Sequence, residues 1–75
     1  MNKERRQKII DVITHLNKIE SLIQNILDEE QEAFDNMPEG LQASERGATS
    51  EEAQENLDAA IDSLEDAISY LEDIV

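Results

Sequence analysis

Residues 57 to 75 read Leu57-Asp-Ala-Ala60-Ile61, Leu64-Glu-Asp-Ala67-Ile68, Leu71-Glu-Asp-Ile74-Val75, a seven-residue repeat with three apolar columns. An α-helix gathers such columns on one side, because seven residues make close to two turns. In repeat notation the columns are a (Leu57, Leu64, Leu71), d (Ala60, Ala67, Ile74) and e (Ile61, Ile68, Val75). A stripe this wide must be buried against other helices. The outer side carries Asp58, Asp62, Glu65, Asp66, Glu72 and Asp73 and no base.

The first half of the chain has the same pattern. Its a and d columns are Ile9, Val12, Leu16, Ile19, Ile23 and Ile26, continued by Glu30 and Ala33, and Ile13, Leu27 and Phe34 widen the stripe at e. Glu30 is the only acid read as facing the seam, at a bundle end where it can pair or reach water. Asn2 suits an N-cap, and Pro38 disfavours helical dihedrals at Met37, so the pattern predicts a helix over about 3–36. Residues 37–49 form the connection: a turn at Pro38-Glu39-Gly40, then one helical turn near 41–46 stopped by Gly47. Thr49 and Glu52 have capping-box spacing, and Glu51, Glu52 and Glu55 suit a positive helix end, which predicts the next helix over about 50–75.

These elements predict a single all-α domain, an antiparallel two-helix hairpin with heptad seams. Its core is read as Ile9, Val12, Leu16, Ile19, Ile23 and Ile26 against Leu57, Ile61, Leu64, Ile68 and Leu71. The first helix is longer by roughly two turns, ~12 Å, so its opening turns overhang and leave Ile9 and Ile10 with little cover. A second copy supplies that cover, and Ala53, Ala60 and Ala67 permit close approach of a helix. The expected assembly is a homodimeric, antiparallel four-helix bundle.

Composition narrows the class further. A 75-residue chain buries a modest fraction of its surface, and without cysteine it has no disulfide to compensate, which points to the cytoplasm. The basic start is followed by Asp11, His15, Asn17, Lys18 and Glu20, which interrupt any signal-type or membrane-spanning run. The net charge of −13 is uneven: residues 1–18 hold five bases and two acids, and residues 19–75 hold seventeen acids and only Arg46. Such a body repels phosphates and anionic lipid, so neither nucleic acid nor membrane is expected to bind it.

No constellation of residues announces a reaction. His15 is the only histidine, which excludes a histidine dyad or cluster, and the Glu-x-x-His pairs of a di-metal bundle are missing. Numbering a calcium loop from Asp35 puts Gly40 correctly at its sixth position, but Met37 falls at the third and Arg46 at the twelfth, where a glutamate is required. Phosphate loops and nucleophile elbows are absent too. The expectation is a protein that is no enzyme and takes no cofactor or metal.

The acids themselves are the remaining signal. Residues 50–75 hold nine acids and no base, forgoing the opposite-charge pairs that stabilise solvated helices. Acids also crowd both helix ends where the dipole disfavours them, so local stability does not account for them. Carboxylates along a rod can imitate a phosphate track and enter the basic groove of another protein. The residues read as partner-binding are Asp58, Asp62, Glu65, Asp66 and Glu72 on the second helix, with Glu29, Glu32, Asp35 and Glu39 at the connection. The competing reading is a self-assembling helical module whose charge serves only solubility.

The stretch Asp28-Glu-Glu-Gln-Glu-Ala-Phe-Asp-Asn-Met-Pro-Glu-Gly-Leu-Gln-Ala-Ser-Glu-Arg-Gly47, followed by the Leu-Glu-Asp-Ala-Ile repeat, resembles small acidic two-helix proteins encoded by phages, prophages and mobile elements of Gram-positive bacteria. The resemblance implies a mobile-element origin and an accessory role directed at a host protein, such as a defence or nucleic-acid-processing factor. It implies no activity and no site.

Charge density alone generates one prediction. Raising ionic strength from about 0.01 M to about 0.15 M shortens the screening length from roughly 30 Å to roughly 8 Å, and should raise the melting temperature by damping carboxylate repulsion. Thermal melts followed by circular dichroism test this; a fall in melting temperature with salt would mean that ion pairs outweigh repulsion.

Overall fold

The computed structural model describes residues 1–75. It contains three helices and no strand: α1 (Lys3–Asp35), the single-turn α2 (Glu39–Gln42) and α3 (Glu45–Glu72). At the helical rise α1 is ~50 Å long and α3 ~42 Å. The longest dimension of the molecule is 58 Å, so the two fold back side by side and antiparallel. Its radius of gyration is 17.2 Å, against ~11 Å for a compact domain of this length. The protein is a rod.

Asn2 starts α1: its backbone is extended and its side-chain oxygen accepts from the Arg5 amide at 2.8 Å. The helix stops at Asp35, and Pro38, with ψ 147°, opens α2. The Gln42 side-chain amide donates to the Phe34 carbonyl at 2.9 Å, tying α2 back to the end of α1.

Where the connection becomes α3, the structure corrects the sequence reading. The short helix covers Glu39–Gln42, not 41–46, and α3 begins at Glu45 instead of about residue 50. Ser44, with φ −90° and ψ 177°, holds the N-cap position. Thr49 makes no capping box; its hydroxyl donates back to the Glu45 carbonyl at 3.0 Å, as in a helix interior. Gly47 does not stop a turn. It is buried inside α3, where a Cβ would overlap the backbone of Gln42. That close crossing favours glycine despite its poor helix propensity, and lets α3 begin early.

Along α1 the buried and half-buried positions are Ile9, Ile13, Leu16, Glu20, Ile23, Leu27, Glu30 and Phe34; along α3 they include Ser50, Gln54, Leu57, Ile61, Leu64, Ile68 and Leu71. Both series alternate steps of four and three. The a and e columns close the hairpin, and the d column is left at its flank. Val12, Ile19 and Ile26, read as core, are exposed, while Ala53, Ala60 and Ala67 are half-covered. Two helices can bury only one narrow line of side chains between them, so a three-column stripe cannot be satisfied by a single partner. Glu30 is not the only acid in this line, because Glu20 sits in it as well. The buried apolar residues are Leu27, Ile61 and Ile68, and none of them is wholly shielded from solvent.

Gly47→Ala gains up to ~1 kcal/mol of helix propensity but places a methyl group on the Gln42 carbonyl, an overpacking cost of about 1–3 kcal/mol. The variant should melt lower than the parent, whereas Gly40→Ala, with open space at its Cβ, should not. Equal melting temperatures for parent and Gly47→Ala would show that the α2–α3 crossing relaxes freely.

Candidate functional site

The faces of the rod follow from the seam by counting one residue in either direction. Each residue turns a helix by about 100°, so the row after the seam and the row before it lie on opposite sides. Because the helices are antiparallel, a forward step on α1 and a forward step on α3 turn toward the same side of the hairpin. Each forward row therefore joins the other's forward row.

On α3 the forward row is Glu51, Glu55, Asp58, Asp62, Glu65, Ser69 and Glu72, six carboxylates in seven places, all exposed. Beside it on α1 lie Thr14, Asn17, Ser21, Gln24, Asp28, Gln31 and Asp35, mostly uncharged amides and hydroxyls. Gln24 donates to Asp28 at 3.0 Å along this row. The backward rows differ. On α1 they are Val12, His15, Ile19, Leu22, Ile26, Glu29 and Ala33, and on α3 Ala53, Asn56, Ala60, Ser63, Ala67 and Tyr70. The hairpin thus has one acidic, polar face and one largely apolar face whose α3 half is small-chained between Ala53 and Ala67 and ends in the exposed Tyr70.

Of the acids read from sequence as partner-binding, Asp58, Asp62, Glu65 and Glu72 stand together in the forward row. Asp66 lies one step further around α3, on its outer side. Glu29, Glu32 and Asp35 fan around the last turns of α1, with Glu29 on the backward face and Asp35 on the forward one, and Glu39 begins α2; all four are exposed. They share an end of the rod without forming one surface. Sequence reasoning missed that Glu51 and Glu55 extend the row. Placing the helix start near residue 50 made them look like dipole acids, but with α3 starting at Glu45 they lie beyond its first turn, where the dipole has little effect.

Glu20 was also missed as a site residue, although it stands between Ile13 and Leu27 in the e column. It meets Glu65 across the hairpin. A hydrogen bond with Glu20 holds the Glu65 carboxyl above its ordinary value, and the Glu20 charge, partial desolvation, and the charges of Asp66 and Asp58 act in the same direction.

His15 is exposed, and its Nδ1 donates to the Asp11 carbonyl at 2.7 Å, the carbonyl being able only to accept. The rod has no pocket. No group of three or more His, Cys, Asp or Glu side chains is arranged to hold a metal ion. No helix is long and apolar enough to cross a membrane. Comparison with protein-family models, with curated proteins and with solved structures finds no match to this chain.

The carboxyl pair gives a pH prediction with a definite sign. A raised folded pKa means that the folded state binds a proton more readily than the unfolded chain, so stability is lost as pH rises through the raised value and is fully recovered below the ordinary 4.5. The parent should therefore gain melting temperature on acidification from about pH 7 toward about pH 5. Glu20→Gln should melt higher than the parent at neutral pH and gain less on acidification. A variant less stable than the parent at neutral pH would show that the pair is not repulsive.

Proposed function

We propose that this hairpin is a non-enzymatic, acidic protein-binding module. In this reading it belongs to a phage or other mobile element and works in the cytoplasm of a bacterial host. There it pairs with a second copy as a four-helix bundle, and it occupies the basic surface of a host defence or nucleic-acid-processing protein in place of nucleic acid. The forward row of α3 carries the reading. Its six carboxylates from Glu51 to Glu72 recur about every 6 Å of helix on one side, a line of negative charge comparable in sign and direction, though sparser, to the one phosphate per ~3.4 Å along each strand of a duplex.

Three further observations support it. Neither long helix has a base in its last turn, so the acids are not balanced locally. The lone histidine is exposed, and its Nδ1 donates to a backbone carbonyl of its own helix. A rod without concavity is suited to being held in a groove supplied by its partner. The second reading, a self-assembling module whose charge keeps it dispersed, is favoured by one observation of its own: Val12, Ile19, Leu22 and Ile26 are exposed along α1.

The two readings part on a single variant. Changing Asp58, Asp62, Glu65, Asp66 and Glu72 together to Asn or Gln leaves the buried line untouched, so helicity should persist. Host proteins retained by the parent from a bacterial lysate should be lost on the variant, released by modest salt, and displaced by duplex DNA. Equal retention by the neutralised variant would remove the mimic reading and leave the self-assembling one.

A further inference from the structure

The backward face is the part of the rod that the acidic reading does not use. The hairpin exposes 5621 Å², whereas a compact monomer of 8.5 kDa exposes roughly 4,650 Å². The excess, about 1,000 Å², is similar to the ~800 Å² that each partner contributes to a standard interface. Much of the apolar exposure is on this face: Val12, Ile19, Leu22 and Ile26 are 47%, 43%, 54% and 51% exposed. From Val12 to Ile26 the α1 row contains no acid, and opposite it α3 offers Ala60, Ser63 and Ala67. A chain of net charge −13 can approach its own copy only through a face free of carboxylates, and this one qualifies along its middle.

We propose that a second copy covers this face about a two-fold axis parallel to the helices, so that α1 of each subunit lies on α3 of the other. This rests on the pairing stated above and adds its face and register; it does not depend on what the acids recognise. Such an axis leaves every residue at its own height, so the register is inherited from the hairpin, in which Glu20 meets Glu65. Leu22 then lies level with Ser63 of the partner subunit, Ile26 beside the partner's Ala60, and Ile19 beside the partner's Ala67. Large residues meet small ones along most of the contact.

An axis perpendicular to the helices would instead stack α1 on α1, setting Val12 against the partner's Leu22. It would put large residues on large and small on small in one interface, and would leave the first half of α3 overhanging. With the parallel axis the two forward rows point away from each other. The assembly then presents its acidic row twice, on opposite sides.

The chain has no cysteine, so single replacements report contacts cleanly. Equimolar Leu22→Cys and Ser63→Cys proteins, mixed and oxidised with glutathione, should give the mixed disulfide dimer in excess over either self-linked dimer, read by mass spectrometry. A mixture of Val12→Cys and Leu22→Cys should link at least ten-fold less. Sedimentation equilibrium of the unaltered protein should show a dimer. Preferential linkage of the Val12 and Leu22 variants would overturn the axis, and a dimer that links through neither mixture would overturn the face. A monomer at ~100 μM, far above the Kd that a standard interface usually supports, would overturn pairing altogether. None of these results bears on retention of a basic partner, so the two proposals fail separately.

Discussion

One line of side chains carries this fold. Ile13, Leu16, Ile23 and Leu27 on α1 and Leu57, Ile61, Leu64 and Ile68 on α3 are what the two long helices bury between them, and of these only Leu27, Ile61 and Ile68 are buried, the others being half-covered. Burial of that line must offset the conformational entropy of ordering two long helices, and it is interrupted by Glu20 and Glu30. Around it stands a net charge of −13, which opposes compaction. In proteins most helical stability comes from packing of an amphipathic face, so helix formation, packing and charge are coupled through the same few contacts.

The coupling is clearest at Glu20 and Glu65. A carboxylate in the packing line forfeits the burial that an aliphatic side chain would contribute there, and it faces another acid across the hairpin. The arrangement makes stability sensitive to proton and salt concentration, since both act on the same repulsion. At the other end of the rod packing takes the opposite form. Gly47 brings the first turn of α3 against the Gln42 backbone, and the Gln42 side chain bonds to the last turns of α1. The connection is thereby a packed cap with its own contacts, half-burying Met37, while Leu41 stays exposed.

The two faces express two demands on one short chain. The forward row of α3 keeps carboxylates where a merely solvated helix would interleave lysine or arginine. The backward face keeps large aliphatic residues where a monomer would be expected to place polar ones. The first suits recognition of a basic surface and the second suits burial by another hairpin. They lie on opposite sides of the rod, so one can be occupied without disturbing the other.

Much of the architecture was legible in the sequence. The repeat at 57–75 and its counterpart at 9–34 predicted two long helices, Asn2 and Pro38 marked the ends of the first, and the acids of the second were visibly unpaired. Local rules suffice for these features, because periodicity and capping depend on near neighbours. Three things needed the tertiary structure. The start of α3 was misread, because Gly47 stops a helix by local propensity and is tolerated within one only where another backbone approaches. The division of the apolar stripe into a buried a/e line and an exposed d column could not be read either, since a periodic pattern gives the width of a stripe without saying which part a given partner covers. Glu20 stood in plain view in the e column, but only the register of two helices far apart in sequence brings it against Glu65. The sequence by itself determined which residues share a side of each helix, and the tertiary structure decided which of those sides face each other.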